Sequence, residues 1–150
     1  MNDARSIVIL FDASDKKIFE TVSTFSEKLI SNKKEVCSIG FVQNKKTLDF
    51  YKYKKGVSLF STDDLNFLGM PSQTLVDKYI KSKADLLIDL NINNNFQLKF
   101  ISCLSKASFK IGIDSFNPEI YDMTIYLKNE KSISYLIEQI ELYLAMINFK

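Results

Sequence analysis

A short polar N-terminus gives way at residues 6–11 to a continuous apolar run, Ser-Ile-Val-Ile-Leu-Phe. Unbroken hydrophobicity, as opposed to alternation, is what a strand covered on both faces of a parallel sheet requires. Asp12-Ala13-Ser14-Asp15 follows, where either Ser14 or Asp15 can cap a helix. Ile18, Phe19, Val22, Phe25, Leu29 and Ile30 then recur at three- and four-residue spacing, which predicts a helix with one buried face. Residues 32–34 break that helix, and residues 36–42, with Gly40 inside, read as a second strand. The opening 42 residues therefore predict a βαβ unit, for which a right-handed crossover is the expectation.

The same alternation continues downstream. Residues 45–53 suggest a short helix, 57–60 a short strand, and 62–66 a turn or helical cap ahead of Gly69-Met70-Pro71. A helix over residues 72–80 turns Leu75, Val76, Tyr79 and Ile80 inward, and residues 84–90 (Ala-Asp-Leu-Leu-Ile-Asp-Leu) form a core strand that ends in the polar loop 91–95. Phe96, Leu98, Phe100, Ile101, Leu104 and Ala107 supply a helix that ends near residues 105–108, and residues 109–113 and 123–127 are the last two strand candidates. Ser132 caps a final helix whose inward positions are Ile133, Leu136, Ile137, Ile140, Leu144 and Ile147. Strands and helices in alternation predict the α/β class: a three-layer α/β/α sandwich, Rossmann-like, with a mostly parallel sheet and one domain over residues 1–150.

Composition narrows the chemistry. With 46% apolar and 25% charged residues, a 150-residue chain can bury its own core with no disulfide or metal to staple it. Cys37 and Cys103 lie in apolar stretches without metal-ligand spacing and are expected to be buried free thiols; no metal or cofactor is expected. The chain contains no histidine, which removes Ser-His and Cys-His nucleophile systems and the commonest metal ligand. Residues 1–5 carry no apolar signal core, and no segment approaches the roughly 20 apolar residues of a membrane span. A cytoplasmic protein without membrane contact is the expectation.

Charge is uneven. The net charge is only +2, yet residues 45–55 hold five lysines and one aspartate, so the remainder is slightly acidic. In that segment Lys45, Lys46, Lys52, Lys54 and Lys55 interleave with Phe50, Tyr51 and Tyr53. Cations for phosphate and rings for stacking are what single-stranded nucleic acid selects, although arginine, the residue of bidentate recognition, is absent. A helix with Leu48 and Tyr51 packed inward and its lysines solvated accounts for the same pattern. The lysine-aromatic segment is the leading candidate surface for RNA, a ribonucleoprotein or a protein partner.

A second candidate region comes from fold position. Doubly wound sheets bind ligands outside the carboxyl ends of their strands. Asp12 and Ser14 follow the first strand, and Asn91, Asn93, Asn94 and Asn95 follow the strand at 84–90, where amides can meet a ligand's hydroxyls or a base edge. Neither a dinucleotide-binding glycine fingerprint nor a P-loop occurs, and helix capping and left-handed turns explain the same residues. Asp85 and Asp89 lie four apart on the strand; a buried Asp89 would need a backbone N–H or a lysine as partner.

Three likenesses accompany these patterns. The opening strand, Asp-x-Ser turn and long helix resemble universal stress proteins in architecture, without their glycine-rich nucleotide signature. Residues 84–114, reading Ala-Asp-Leu-Leu-Ile-Asp-Leu-Asn, a helix, then Leu-Ser-Lys-Ala-Ser-Phe-Lys-Ile-Gly-Ile, are similar to the N-terminal half of heptosyltransferase-type (family 9) glycosyltransferases. That resemblance implies a reduced domain binding a sugar or nucleotide through Asp12, Ser14 and residues 91–95, with a carboxylate base and a partner chain carrying the nucleotide site. Across its length, in Thr47-Leu48-Asp49-Phe50-Tyr51, Gly56-Val57-Ser58-Leu59-Phe60 and Ile120-Tyr121-Asp122-Met123, the chain resembles a small family of Bacteroidota cytoplasmic proteins of domain-of-unknown-function type. That likeness implies an α/β fold.

Overall fold

The computed structural model describes residues 3–51, 53–80, 83–114 and 118–147. Among the described residues six strands form one sheet: β1 (Ser6–Asp12), β2 (Glu35–Val42), β3 (Val57–Ser61), β4 (Leu86–Asp89), β5 (Phe109–Ile113) and β6 (Met123–Ile125). Their spatial order is β3-β2-β1-β4-β5-β6, and every neighbouring pair runs parallel. This is the Rossmann order, in which the chain winds outward from β1 in one direction and then from β4 in the other. The expectation of a mostly parallel sheet becomes an all-parallel one among the described residues.

Four described α-helices supply the outer layers: α1 (Lys16–Ser31), α2 (Gln73–Ile80), α3 (Phe96–Leu104) and α4 (Ile133–Met146). Side chains alternate across a strand, so each strand feeds two cores. Ile7, Ile9 and Phe11 of β1 pack with Phe19, Val22 and Phe25 of α1 and with Leu136 and Ile140 of α4. Val8 and Leu10 face the other way, into a second core with Leu75 and Tyr79 of α2 and Leu98 and Ile101 of α3. The continuous apolar runs of β1 and β4 are the sequence trace of this double burial.

The start of α1 is settled by Asp15, whose Oδ1 accepts from the backbone N–H groups of Lys17 and Ile18; Ser14 lies outside the cap. Residues 45–53 yield only a 3-10 helix, Lys45–Phe50, capped by Asn44. On α3, Phe96 and Leu104 face solvent instead of the core, because Leu98, Ile101 and Ser102 already fill the narrow buried stripe of this short helix. The expectation for the cysteines fails at one of the two. Cys37 is half-buried, but Cys103 is exposed, since one step beyond Ser102 the helix turns it outward.

Like the passage from β2 to β3, the passage from β5 to β6 shows no described α-helix of the kind that usually joins parallel strands. Among the described residues it contains only the 3-10 turn Pro118–Ile120, followed by Tyr121, which covers the sheet in the place a helix would take. No described helix is long and apolar enough to cross a membrane.

Candidate functional site

The strand order places its topological switch point between β1 and β4, and the two loops leaving those strands meet there. Asp12, the last residue of β1, accepts the Ser14 N–H on Oδ1 at 3.0 Å and the Asn93 side-chain amide on Oδ2 at 3.2 Å. Two of the segments singled out from sequence are thus joined across the crevice. The other asparagines are spent on the loop itself. Asn91 bridges to the backbone of Asn95 with both its amide atoms, Asn95 caps α3 through the Leu98 N–H, and Asn94 holds a left-handed φ of 53° while accepting from Lys99 Nζ.

Phosphate recognition is poorly served at this turn. In dinucleotide-binding Rossmann folds, free N–H groups at the first helix N-terminus meet the pyrophosphate. Here Asp15 occupies those donors and Asp12 adds a second carboxylate nearby, so an anion would meet negative charge. The end of β2, where a ribose-binding carboxylate would stand, continues into Gln43 and Asn44.

Asp89, at the carboxyl end of β4, is the one buried carboxylate among the described residues. It is 2% exposed; its Oδ1 accepts the Asn91 N–H at 3.0 Å, and its Oδ2 accepts the Tyr121 hydroxyl at 2.6 Å. Burial pushes its carboxyl up to about 6 against the pull of the tyrosine and backbone donors and of Lys99. Tyr121 is shifted upward too, first by burial and then by the carboxylate it faces. A cleft of about 10 Å³, room for roughly one water, opens beside the pair between Asn94, Lys99 and Ile113. Asp85, four residues away, ties down the other end of the strand, accepting from the Arg5 and Ser6 N–H groups; those backbone bonds hold its carboxyl below the usual range. The two aspartates have unrelated structural duties.

The lysine-aromatic segment builds the wall of a larger feature. Tyr51 stacks on Phe19 of α1 with ring centroids 4.1 Å apart, and its hydroxyl donates to the Ala13 carbonyl. With Leu48 also packed against the core, the segment is pinned to the first β-to-α turn. Between it and α1 runs a groove of about 380 Å³, lined by Lys16, Phe19, Glu20, Phe50, Tyr51 and Lys54 among others. Phe50 is 76% exposed and Tyr53 87%. Tyr51 itself anchors the segment, packed on Phe19 and bonded to Ala13, while still lining the groove.

The charge of the patch is smaller than its sequence suggests. Lys45 pairs with Asp63 at 3.2 Å and Lys54 with Glu27 at 3.7 Å, while Lys46 and Lys55 are exposed; Lys52 lies outside the described residues. Counting those partners, five lysines face three carboxylates (Asp49, Asp63 and Glu27), a local +2. Across the groove, Lys16 is balanced by Glu20 at 3.9 Å. Tyr51 feels the acidic surroundings: burial first, then Asp15, Asp12 and Glu20, raise its phenol.

One family matches residues 1–147, which includes both candidate regions and every described strand. The chain belongs to the family of unknown function DUF6913. No curated protein and no solved structure matches it.

Sequence reasoning did not reach the Tyr121–Asp89 contact or the groove. Phe67 and Leu68, exposed at the tip of a turn after β3, also went unmarked. Asn66 builds that turn by accepting the Leu68 and Met70 N–H groups, and Gln97 fastens it to α3 through the Gly69 carbonyl. The Asn66-x-x-Gly69 spacing was the available signal, and Gly69 duly takes a positive φ of 73°.

Proposed function

We propose that this chain is a binding domain whose groove between α1 and residues 45–54 receives a segment of a partner protein. The observation that carries the reading is the way Tyr51 is used. Clamped by Phe19 and the Ala13 carbonyl, it fixes a rigid wall from which Phe50 and Tyr53 project into solvent beside exposed lysines. Large exposed rings held by a packed anchor cost little further entropy on binding and are the side chains that dominate protein interfaces.

Protein is favoured over RNA by charge. Nucleic-acid affinity rests on unpaired cations that displace counterions from phosphates, and two of the lysines here are ion-paired while Glu20 lines the groove and Asp12 and Asp15 act on Tyr51 at its wall. A mixed-charge rim around an aromatic floor fits a peptide with an apolar anchor between residues of both signs. Panning the purified chain against displayed random peptides tests this. Sequences of that kind should be selected, and should be lost when Phe50 and Tyr53 are both replaced by alanine. Selection of nothing, together with salt-sensitive binding of mixed-sequence single-stranded RNA that disappears when Lys45, Lys46, Lys52, Lys54 and Lys55 become glutamine, would overturn it.

A second reading, sugar or nucleotide binding at the strand ends, is favoured by one observation: Asp12 and Asn93 meet across the switch point, where Rossmann sheets take their ligands. It keeps the likeness of residues 84–114 to glycosyltransferases in play. The two carboxylates at the turn direct such a ligand to present hydroxyls and not phosphate.

A further inference from the structure

The contact between Tyr121 and Asp89 has the construction of a movable part. Asp89 and Gly112 sit side by side on β4 and β5, whose register aligns Ile88 with Ile111. A Cβ on Gly112 would stand 2.5 Å from ring carbons of Tyr121, so the ring rests directly on the glycine and its hydroxyl reaches the carboxylate. Around them the packing is incomplete. The Ser102 hydroxyl on α3 is fully buried and faces both groups without a well-formed hydrogen bond to either, and the small cleft flanked by Asn94 and Lys99 touches both Asp89 and Tyr121. The tyrosine comes from a connection between parallel strands in which no α-helix is described to hold it down, and the residue next to it is tied to β5 by two bonds: the Asp122 N–H to the Lys110 carbonyl, and the Lys110 N–H to the Asp122 carboxylate.

We propose that Tyr121 is a latch over the carboxyl ends of β4 and β5, released when Asp89 takes up its charge. Closed, the latch keeps Asp89 from water. Open, it presents the carboxylate, the Ser102 hydroxyl and the glycine floor at the edge of the sheet where α/β proteins bind ligands. The direction follows from linkage. In the closed state burial raises the carboxyl to about 6, and release returns it toward the ordinary 3.8, so protonation favours closure and ionisation favours release. The groups facing Asp89 are the Tyr121 hydroxyl, the Asn91 N–H, Ser102 and the Lys99 ammonium; Cys103 of α3 faces the tyrosine side. Between pH 4 and 6 the opening equilibrium therefore rises by about 30-fold.

Amide hydrogen exchange followed by NMR from pH 4 to pH 7.5, corrected for intrinsic exchange, reads this opening at Lys110 and Asp122. Their opening constants should rise about 60-fold over that range while staying above those of Ile9 and Leu10 in the central strand, and Asp89→Asn should flatten the dependence. Tyr121→Phe keeps the ring but drops the hydroxyl that favours the charged carboxylate, so it should move the rise to higher pH. It also covers the case in which the asparagine variant fails to fold. A pH-independent opening, a dependence that survives Asp89→Asn, or exchange of Lys110 and Asp122 only with the central strand would overturn the latch.

Discussion

The Tyr121 hydroxyl donates to Oδ2 of Asp89 across 2.6 Å while the ring of the same tyrosine rests on Gly112 of the neighbouring strand. A glycine is required there by space: any Cβ would drive the ring outward and pull the hydroxyl off the carboxylate. Gly112→Ala should therefore destabilise the protein by about 1 to 3 kcal/mol, the range of an overpacked core site. Urea denaturation checks this, and a value near zero would show that the ring can shift freely.

Stability should depend on pH through the same carboxylate. Asp89 has a folded value of about 6 against 3.8 for the ordinary side chain, so its contribution is fully present below pH 4 and is lost as pH rises to 6. The loss amounts to about 3 kcal/mol at the tenfold-per-unit conversion. Asp85 acts in the opposite sense: its depressed carboxyl adds stability above pH 4 that is lost as pH falls. Denaturation midpoints measured between pH 3 and pH 8 should show Asp89→Asn removing the decline between pH 4 and 6, and Asp85→Asn weakening the fall on the acid side. Parallel curves for Asp89→Asn and the parent would contradict the assignment.

The strand-end reading makes its own prediction. A sugar present at 100 times its dissociation constant adds about 2.7 kcal/mol, enough to raise the thermal midpoint by several degrees. If Asp12 and Asn93 form the site, such a shift should vanish in Asp12→Asn with Asn93→Ala, and free nucleoside triphosphates should give none because of the carboxylates at the turn. A triphosphate-induced shift would show that the turn accepts phosphate after all.

The α/β class was legible because it rests on local signals. The unbroken runs in β1 and β4 report burial on both faces, and the three- and four-residue spacing in α1 and α4 reports one buried stripe. What stayed hidden depends on distant pairs. Gly112 and Tyr121 are nine residues apart with no periodic relation, so only the fold shows that one is the seat of the other. Tyr51 among lysines is equally compatible with packing and with display until Phe19 is found stacked on it. Cys103 misled because apolar neighbours suggest burial, whereas the helical phase set by Leu98, Ile101 and Ser102 turns it to solvent. At the strand ends, the segments identified from sequence do converge at Asp12 and Asn93, but Asn91, Asn94 and Asn95 are held within their own loop.

The groove is tested most directly by placing a photoreactive phenylalanine analogue at position 50 in the living cell, with the same group at the exposed Tyr126 beyond the far edge of the sheet as control. The account predicts a discrete protein adduct from position 50 and none of that identity from position 126. The identified partner, once purified, should bind the chain and lose at least tenfold in affinity when Phe50 and Tyr53 are replaced by alanine. An adduct consisting of RNA, or a partner whose binding is indifferent to those two rings, would contradict it.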